Sequence, residues 1–448
     1  MSSSWRSVAR GARSAWLPML GLLVIAPLSA PGQEAAAPAV PPAEAAGFFV
    51  QARVICERDH GRFWGRSLCG PILLVIPETR AVTANQADAR GALAATGAVF
   101  TGVLPTSVNI ANSPTDWSGV HWTQLIWPLI PTDEATRHVM LAHELFHRIQ
   151  PGLNIPSGDG DNAHLDTLEG RYWLQLEWRA LARALQADTA QGRRRAIDDA
   201  LAFRAERYRL FPAAAENERL LEMAEGVPEY TGVRLGLADP AARTAYAVHD
   251  LTLHVEDPTF VRSFAYATGP AYGLLLDQYS PGWRGRLTAG PRLDVLLRAA
   301  LPAEPGPQPS LADRAAAYGG PALHAAEVER DRKRQAMLAA FRARLVDGPV
   351  LHIPMHKTNH EFNPRALQPL GDAGTVYPHI HVSGSFGILE ADNGALMSKD
   401  GSDLALPAAG ADVQALKGDG WSLTLNPGWT IKPGGRPGDL RLIAPARP

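Results

Sequence analysis

Cysteine is almost absent from this chain: only Cys56 and Cys69 occur among 448 residues. That rules out a scaffold built on many disulfides and leaves any thiolate metal site short of ligands. A charge excess of either sign is also missing, since 43 basic residues face 45 acidic ones for a formal net charge of -2. The chain therefore carries no electrostatic footprint for nucleic acid. There is no internal repeat, no Ser/His/Asp nucleophile elbow and no phosphate loop, and the glycines fall at turns. The apolar run from Trp16 to Pro27 is short for a stable membrane span.

What remains is ordinary globular material, 46% hydrophobic and 20% charged, and long enough for two or three domains. Arg6, Arg10 and Arg13 precede the apolar run and Leu28-Ser29-Ala30 follows it. Residues 1–30 thus read as a signal peptide that is removed, with an uncleaved anchor as the alternative. The mature chain is expected to be exported, periplasmic or secreted, without stable membrane insertion. Residues 31–46, rich in Ala and Pro, read as a flexible lead-in. In an oxidising destination Cys56 and Cys69 are expected to form one local disulfide.

The informative stretch is His143-Glu144-Leu145-Phe146-His147, an HExxH pattern inside the run Glu134 to Gln150. On a helix, residues four apart share a face, so both imidazoles can reach one metal ion. Glu144 emerges about 100 degrees round from His143, able to take a proton from a metal-bound water as general base without ligating. Val139, Leu141, Ala142, Leu145, Phe146 and Ile149 make the segment mostly apolar, and Pro151-Gly152 ends it. Two histidines and an acid on such a helix would be desolvated without compensation unless a metal or partner met them.

A zinc site needs a third protein ligand. The HExxHxxGxxH type is excluded, because positions 150 and 153 are Gln150 and Leu153. A glutamate on a later helix is the remaining option. Glu225, in the run Leu221 to Tyr230, is the leading candidate; Glu169, 22 positions after His147, is the rival. Gly226 permits close approach and Glu229 can orient a ligand histidine, which favours Glu225.

The segment His138 to Gln150 together with Glu225-Gly226-x-x-Glu229-Tyr230 resembles the glutamate-ligand zincin peptidases, the peptidase MA type. Several such families pair HExxH with a later helix reading roughly (W/L)xxEGxAxY. Glu225, Gly226 and Tyr230 match that pattern; Glu222, Pro228 and the 77 residues between His147 and Glu225 depart from it. The resemblance covers two short motifs. It implies Zn2+ held by His143, His147 and Glu225, a peptide or protein substrate, and hydrolysis by activated water with Glu144 as base. Tyr230, His164, Arg171 and His249 are the candidates for stabilising the oxyanion, with Tyr230 equally readable as a packing residue.

The fold class expected is α+β. Residues 47–130 read as a mixed N-terminal sheet region of the catalytic domain, with strands at Phe63 to Trp64, Leu73 to Ile76, Ala98 to Leu104, Val108 to Ile110 and Val120 to Leu129. The last of these, given a free edge, could hold an extended peptide. Residues 131–302 read as the helical, metal-binding part. Residues 303–348 are a linker followed by charged helices with a solvated face, and 349–448 form a small all-β domain. Asp159, Asp161 and Asn162 lie in a polar loop that reads as solvated rather than as a calcium site. His356, His360, His379 and His381 read as scattered histidines rather than a second metal site. The competing functions are an inactive exported binding or structural protein on the same scaffold, and a zinc hydrolase of a non-peptide bond.

Overall fold

The computed structural model describes residues 39–302, 308–363 and 366–445. The expected signal segment and the first half of the expected lead-in lie outside the described residues. The first helix, α1 (Pro42–Glu57), starts before the lead-in was expected to end. Proline at the first helical position needs no N–H partner, and Phe48, Phe49, Ala52 and Ile55 supply a buried face.

A six-stranded sheet follows: β1 (Ile72–Val75), β2 (Ala81–Ala84), β3 (Ala94–Thr96), β4 (Val99–Val103), β5 (Ser113–Trp117) and β6 (Val120–Ile126), in the order β3-β4-β2-β1-β6-β5. Only the β1–β6 pairing is parallel. β1 is buried on both faces: Ile72 and Leu74 join the helical core, while Leu73 and Val75 join a smaller one with Val82, Trp117 and Trp122. Two expected strands are absent. Phe63 and Trp64 lie in turns flanked by the positive-φ residues Gly61 and Gly65, and Val108 to Ile110 is irregular. β6 pairs on both sides, with β1 and β5, so it is a core strand and offers no free edge to a substrate.

Beyond the sheet the chain is helical: α2 (Glu134–Ile149), α3 (Leu168–Gln186), α4 (Ala190–Leu210), α5 (Ala214–Leu221), α6 (Val227–Gly236), α7 (Pro240–Leu253), α8 (Ser263–Tyr279), α9 (Leu293–Ala300), α10 (Leu311–Ala317) and α11 (Gly320–Arg342). Charged residues of α3 form ion pairs with neighbouring helices. Glu177 accepts from Arg204 at 2.6 Å and Arg207 at 2.7 Å, and those arginines bind Glu222 and Glu218 in turn. All five side chains are buried. On α11, Glu329, Arg332 and Lys333 lie on a solvated face as expected, but Glu327 is buried against Arg171 and Gln175 of α3.

From Val350 onward the chain is all β, in one seven-stranded and one five-stranded sheet. Their shared core includes Leu351, Val382, Leu389, Leu404 and Trp421, distinct from the helical core. The molecule is thus α+β: a mixed N-terminal sheet, a helical region carrying the HExxH helix, and a largely separate C-terminal β region. Among the described residues, no helix is long and apolar enough to cross a membrane.

Candidate metal centre

The helix α2 begins where the Asp133 side chain accepts from the backbone N–H of Thr136. Its apolar face is buried, and one turn apart near its C-terminus stand His143 and His147. Their Nε2 atoms approach to 2.9 Å. Facing them is Glu225, whose Oε2 lies 3.7 Å from His143 Nε2 and 3.6 Å from His147 Nε2. These three side chains form a His/His/Glu cluster able to chelate a metal ion.

Glycines explain how Glu225 gets there. α6 packs on α2 so closely that a Cβ on Gly232 would fall 2.6 Å from the Val139 carbonyl oxygen, and one on Gly236 2.6 Å from that of His138. Only glycine allows this backbone contact. Between α5 and α6 the helix widens to a single π turn, Glu222–Gly226, in which the Val227 N–H bonds to the Glu222 carbonyl. Such turns often mark functional sites. The opposite side of that turn meets α8 at Gly226 and Gly269, whose backbones touch. One turn before Gly269 on α8, Tyr266 donates to Glu225 Oε2 at 2.7 Å and stacks on the His143 ring at 5.7 Å with 2° between planes.

Each ligand has a second partner. His143 Nδ1 donates to Glu229 Oε2 at 2.7 Å, and His147 Nδ1 lies 2.8 Å from Gln150 Oε1. Arg262, half exposed, donates to Glu225 Oε1 at 3.0 Å and to Asp159 at 2.7 Å. Burial alone would push the His143 imidazole down, but the Glu225 and Glu229 carboxylates outweigh it and push it up to about 10. Burial would raise the Glu225 carboxyl, yet His143, His147 and Tyr266 hold it well below the usual range. Glu144 is buried, its carboxyl raised chiefly by desolvation, and its Oε2 meets no hydrogen-bond partner among the described residues.

The donor set suits zinc. A tetrahedral ion with bonds near 2.0–2.1 Å separates neighbouring ligand atoms by about 3.3 Å, and the three observed separations bracket that value. Small shifts of flexible side chains close the difference. The unpartnered Glu144 oxygen adds a buried acceptor beside the cluster, as a general base requires.

No family model, curated protein or solved structure matches this chain.

The other sequence candidates lie apart from the cluster. Glu169 accepts from the Trp173 indole at 2.9 Å and lies 4.0 Å from His324. Tyr230 is fully buried beside Phe63 and Trp283, its hydroxyl donating to Asp277 at 2.7 Å and accepting from Arg284. That places it in a packed ionic network, not at the donor atoms. His164 is bound to Glu218, Arg171 to Asp166 and Glu327, and His249 is exposed on α7. In the polar loop, Asp159 is taken by Arg262 and Asp161 caps the Ala163 N–H. His360, His379 and His381 bond separately, to Thr358, Asp392 and Glu390. Sequence reasoning missed Tyr266 and Arg262 and saw Gln150 only as a missing histidine.

The two cysteines are joined, with Cα atoms 5.0 Å apart. The loop they close grips the site helices. Arg148 on α2 donates to the Leu68 and Cys69 carbonyls at 3.0 and 2.8 Å, while Trp64 lies on Phe146 and donates to Thr231 on α6.

Proposed function

We propose that this protein is a zinc-dependent peptidase of the glutamate-ligand type, with His143, His147 and Glu225 as metal ligands and Glu144 as general base. The observation that carries the reading is the convergence of three lone-pair donors beside a buried carboxylate oxygen with no partner. Bound there, zinc would supply Lewis acidity toward a carbonyl and acidify a water. The rest of the work falls to this chain's own side chains. Burial raises the Glu144 carboxyl, which favours its holding a proton taken from water and passing it to a leaving amine. Glu229 holds the His143 ring through Nδ1, leaving Nε2 to face the cluster. The Tyr266 hydroxyl, which lies against Glu225, is the donor we assign to a developing oxyanion; the Tyr230 hydroxyl donates to Asp277 instead.

Export belongs to the same proposal. The closed Cys56–Cys69 disulfide supports an oxidising compartment.

The test is a mixed peptide library incubated with the zinc-loaded chain and with Glu144→Gln. Cleavage by the wild type alone, abolished by chelation and restored by zinc, supports a peptidase. A chain that binds zinc and cleaves nothing in the library would overturn the peptide-bond reading.

A further inference from the structure

We infer that Gln150 is a positioning residue for the metal centre: its side-chain amide sets which nitrogen of His147 faces the cluster and ties that histidine to the turn carrying Glu225. The inference rests on the metal-centre reading above.

It begins with a gap in helical hydrogen bonding. In an α-helix the carbonyls of Met223 and Ala224 would accept from the N–H groups of residues 227 and 228. Here the Val227 N–H goes instead to Glu222, and Pro228 has no N–H. The same two carbonyls receive the Gln150 side chain, whose Nε2 lies 2.9 Å from the Met223 oxygen and 3.4 Å from that of Ala224. Carbonyl oxygens only accept, so the amide must present its NH2 end to them. The orientation of an amide is normally ambiguous; these partners remove the ambiguity.

The oxygen end then faces His147 Nδ1 at 2.8 Å and can only accept, so that nitrogen carries the proton. Its Nε2, facing His143 Nε2 and Glu225 Oε2, keeps the lone pair that a metal needs. One side chain thus couples two ligands that are 78 positions apart in sequence. The histidines are also held unequally, His143 by the Glu229 carboxylate and His147 by a neutral amide.

The test compares the full chain with Gln150→Leu, which removes both contacts, and Gln150→Glu, which still accepts from His147 Nδ1 but cannot donate to the carbonyls. Zinc affinity is measured by chelator competition, ligand geometry by the visible spectrum of the cobalt-substituted protein, and stability by thermal unfolding without metal. The leucine variant should bind zinc about 10–100-fold more weakly and alter the cobalt spectrum. The glutamate variant should stay closer to wild type in both while losing thermal stability. Wild-type zinc affinity and an unchanged cobalt spectrum in Gln150→Leu would overturn this inference alone. Failure of the wild type to bind zinc would overturn the metal-centre reading and this inference with it. Should Gln150→Leu not fold, Gln150→Asn, too short to bridge, replaces it with the same outcomes.

Discussion

Glu144 and Tyr266 are the two side chains whose chemistry most directly bears on turnover. Replacing Glu144 by its isostere glutamine keeps size and leaves the three metal donors in place, so metal content should persist. Turnover should fall about 10²–10⁴-fold, the usual contribution of a general base, when kcat is measured beside metal content. The two tyrosines separate in the same assay. Tyr266→Phe should retain metal and lose about 10²-fold in kcat. Tyr230→Phe should leave kcat near wild type and cost about 1 kcal/mol of stability in denaturant unfolding, because its hydroxyl serves Asp277 and Arg284. At this scale the HExxH pair was legible, since four-residue spacing alone puts both imidazoles on one face. Glu225 was legible through its glycine neighbour. Tyr266 was not, because its place depends on a contact between two helices that no local pattern records.

At the scale of elements, the site is a product of close helix approach. The π turn and α8 meet at two glycines, and a Cβ on Gly269 would collide with the Gly226 carbonyl, backbone that cannot rotate away. Gly269→Ala should therefore cost about 1–3 kcal/mol, read from chemical denaturation, and should weaken zinc binding by displacing the turn that carries Glu225. Unchanged stability would show that the helices have room to separate. Residues 131–302 were readable as a helical region, and the charged run Glu216 to Glu225 was read as part of it. The π turn was not, because it lies in the pairing of the Val227 N–H with the Glu222 carbonyl and not in the type of any one residue. Phe63 and Trp64 misled for a related reason: two adjacent aromatics look like a strand, yet they sit in turns where one packs on Tyr230 and the other on Phe146.

At the scale of the whole molecule, buried charge governs stability. Asp250 on α7 is buried, and its Oδ2 has no hydrogen-bond partner among the described residues. Desolvation and then the Glu229 carboxylate push its carboxyl up to about 9 from an ordinary value of 3.8. Between those values the folded chain keeps a proton that the unfolded chain has released. The stability this group contributes is thus complete below pH 3.8 and lost as pH rises toward 9. Asp250→Asn should be more stable than wild type at pH 8, with the gap narrowing toward pH 4, in unfolding curves taken across that range. A gap independent of pH would show that Asp250 is not the titrating group. The α+β class and the C-terminal β region were legible from the change in pattern near Pro349, whereas strand order was not, since pairing of β6 on both sides depends on β5, a short strand containing Pro114.

His143, His147 and Glu225 are expected to hold one metal ion. Elemental analysis of the purified full chain beside Glu225→Ala and Glu169→Ala tests this most directly. About one zinc per chain is expected in the wild type and in Glu169→Ala, with most of it lost in Glu225→Ala. Zinc-free wild-type protein that takes up none on incubation, or full zinc in Glu225→Ala, would contradict the account.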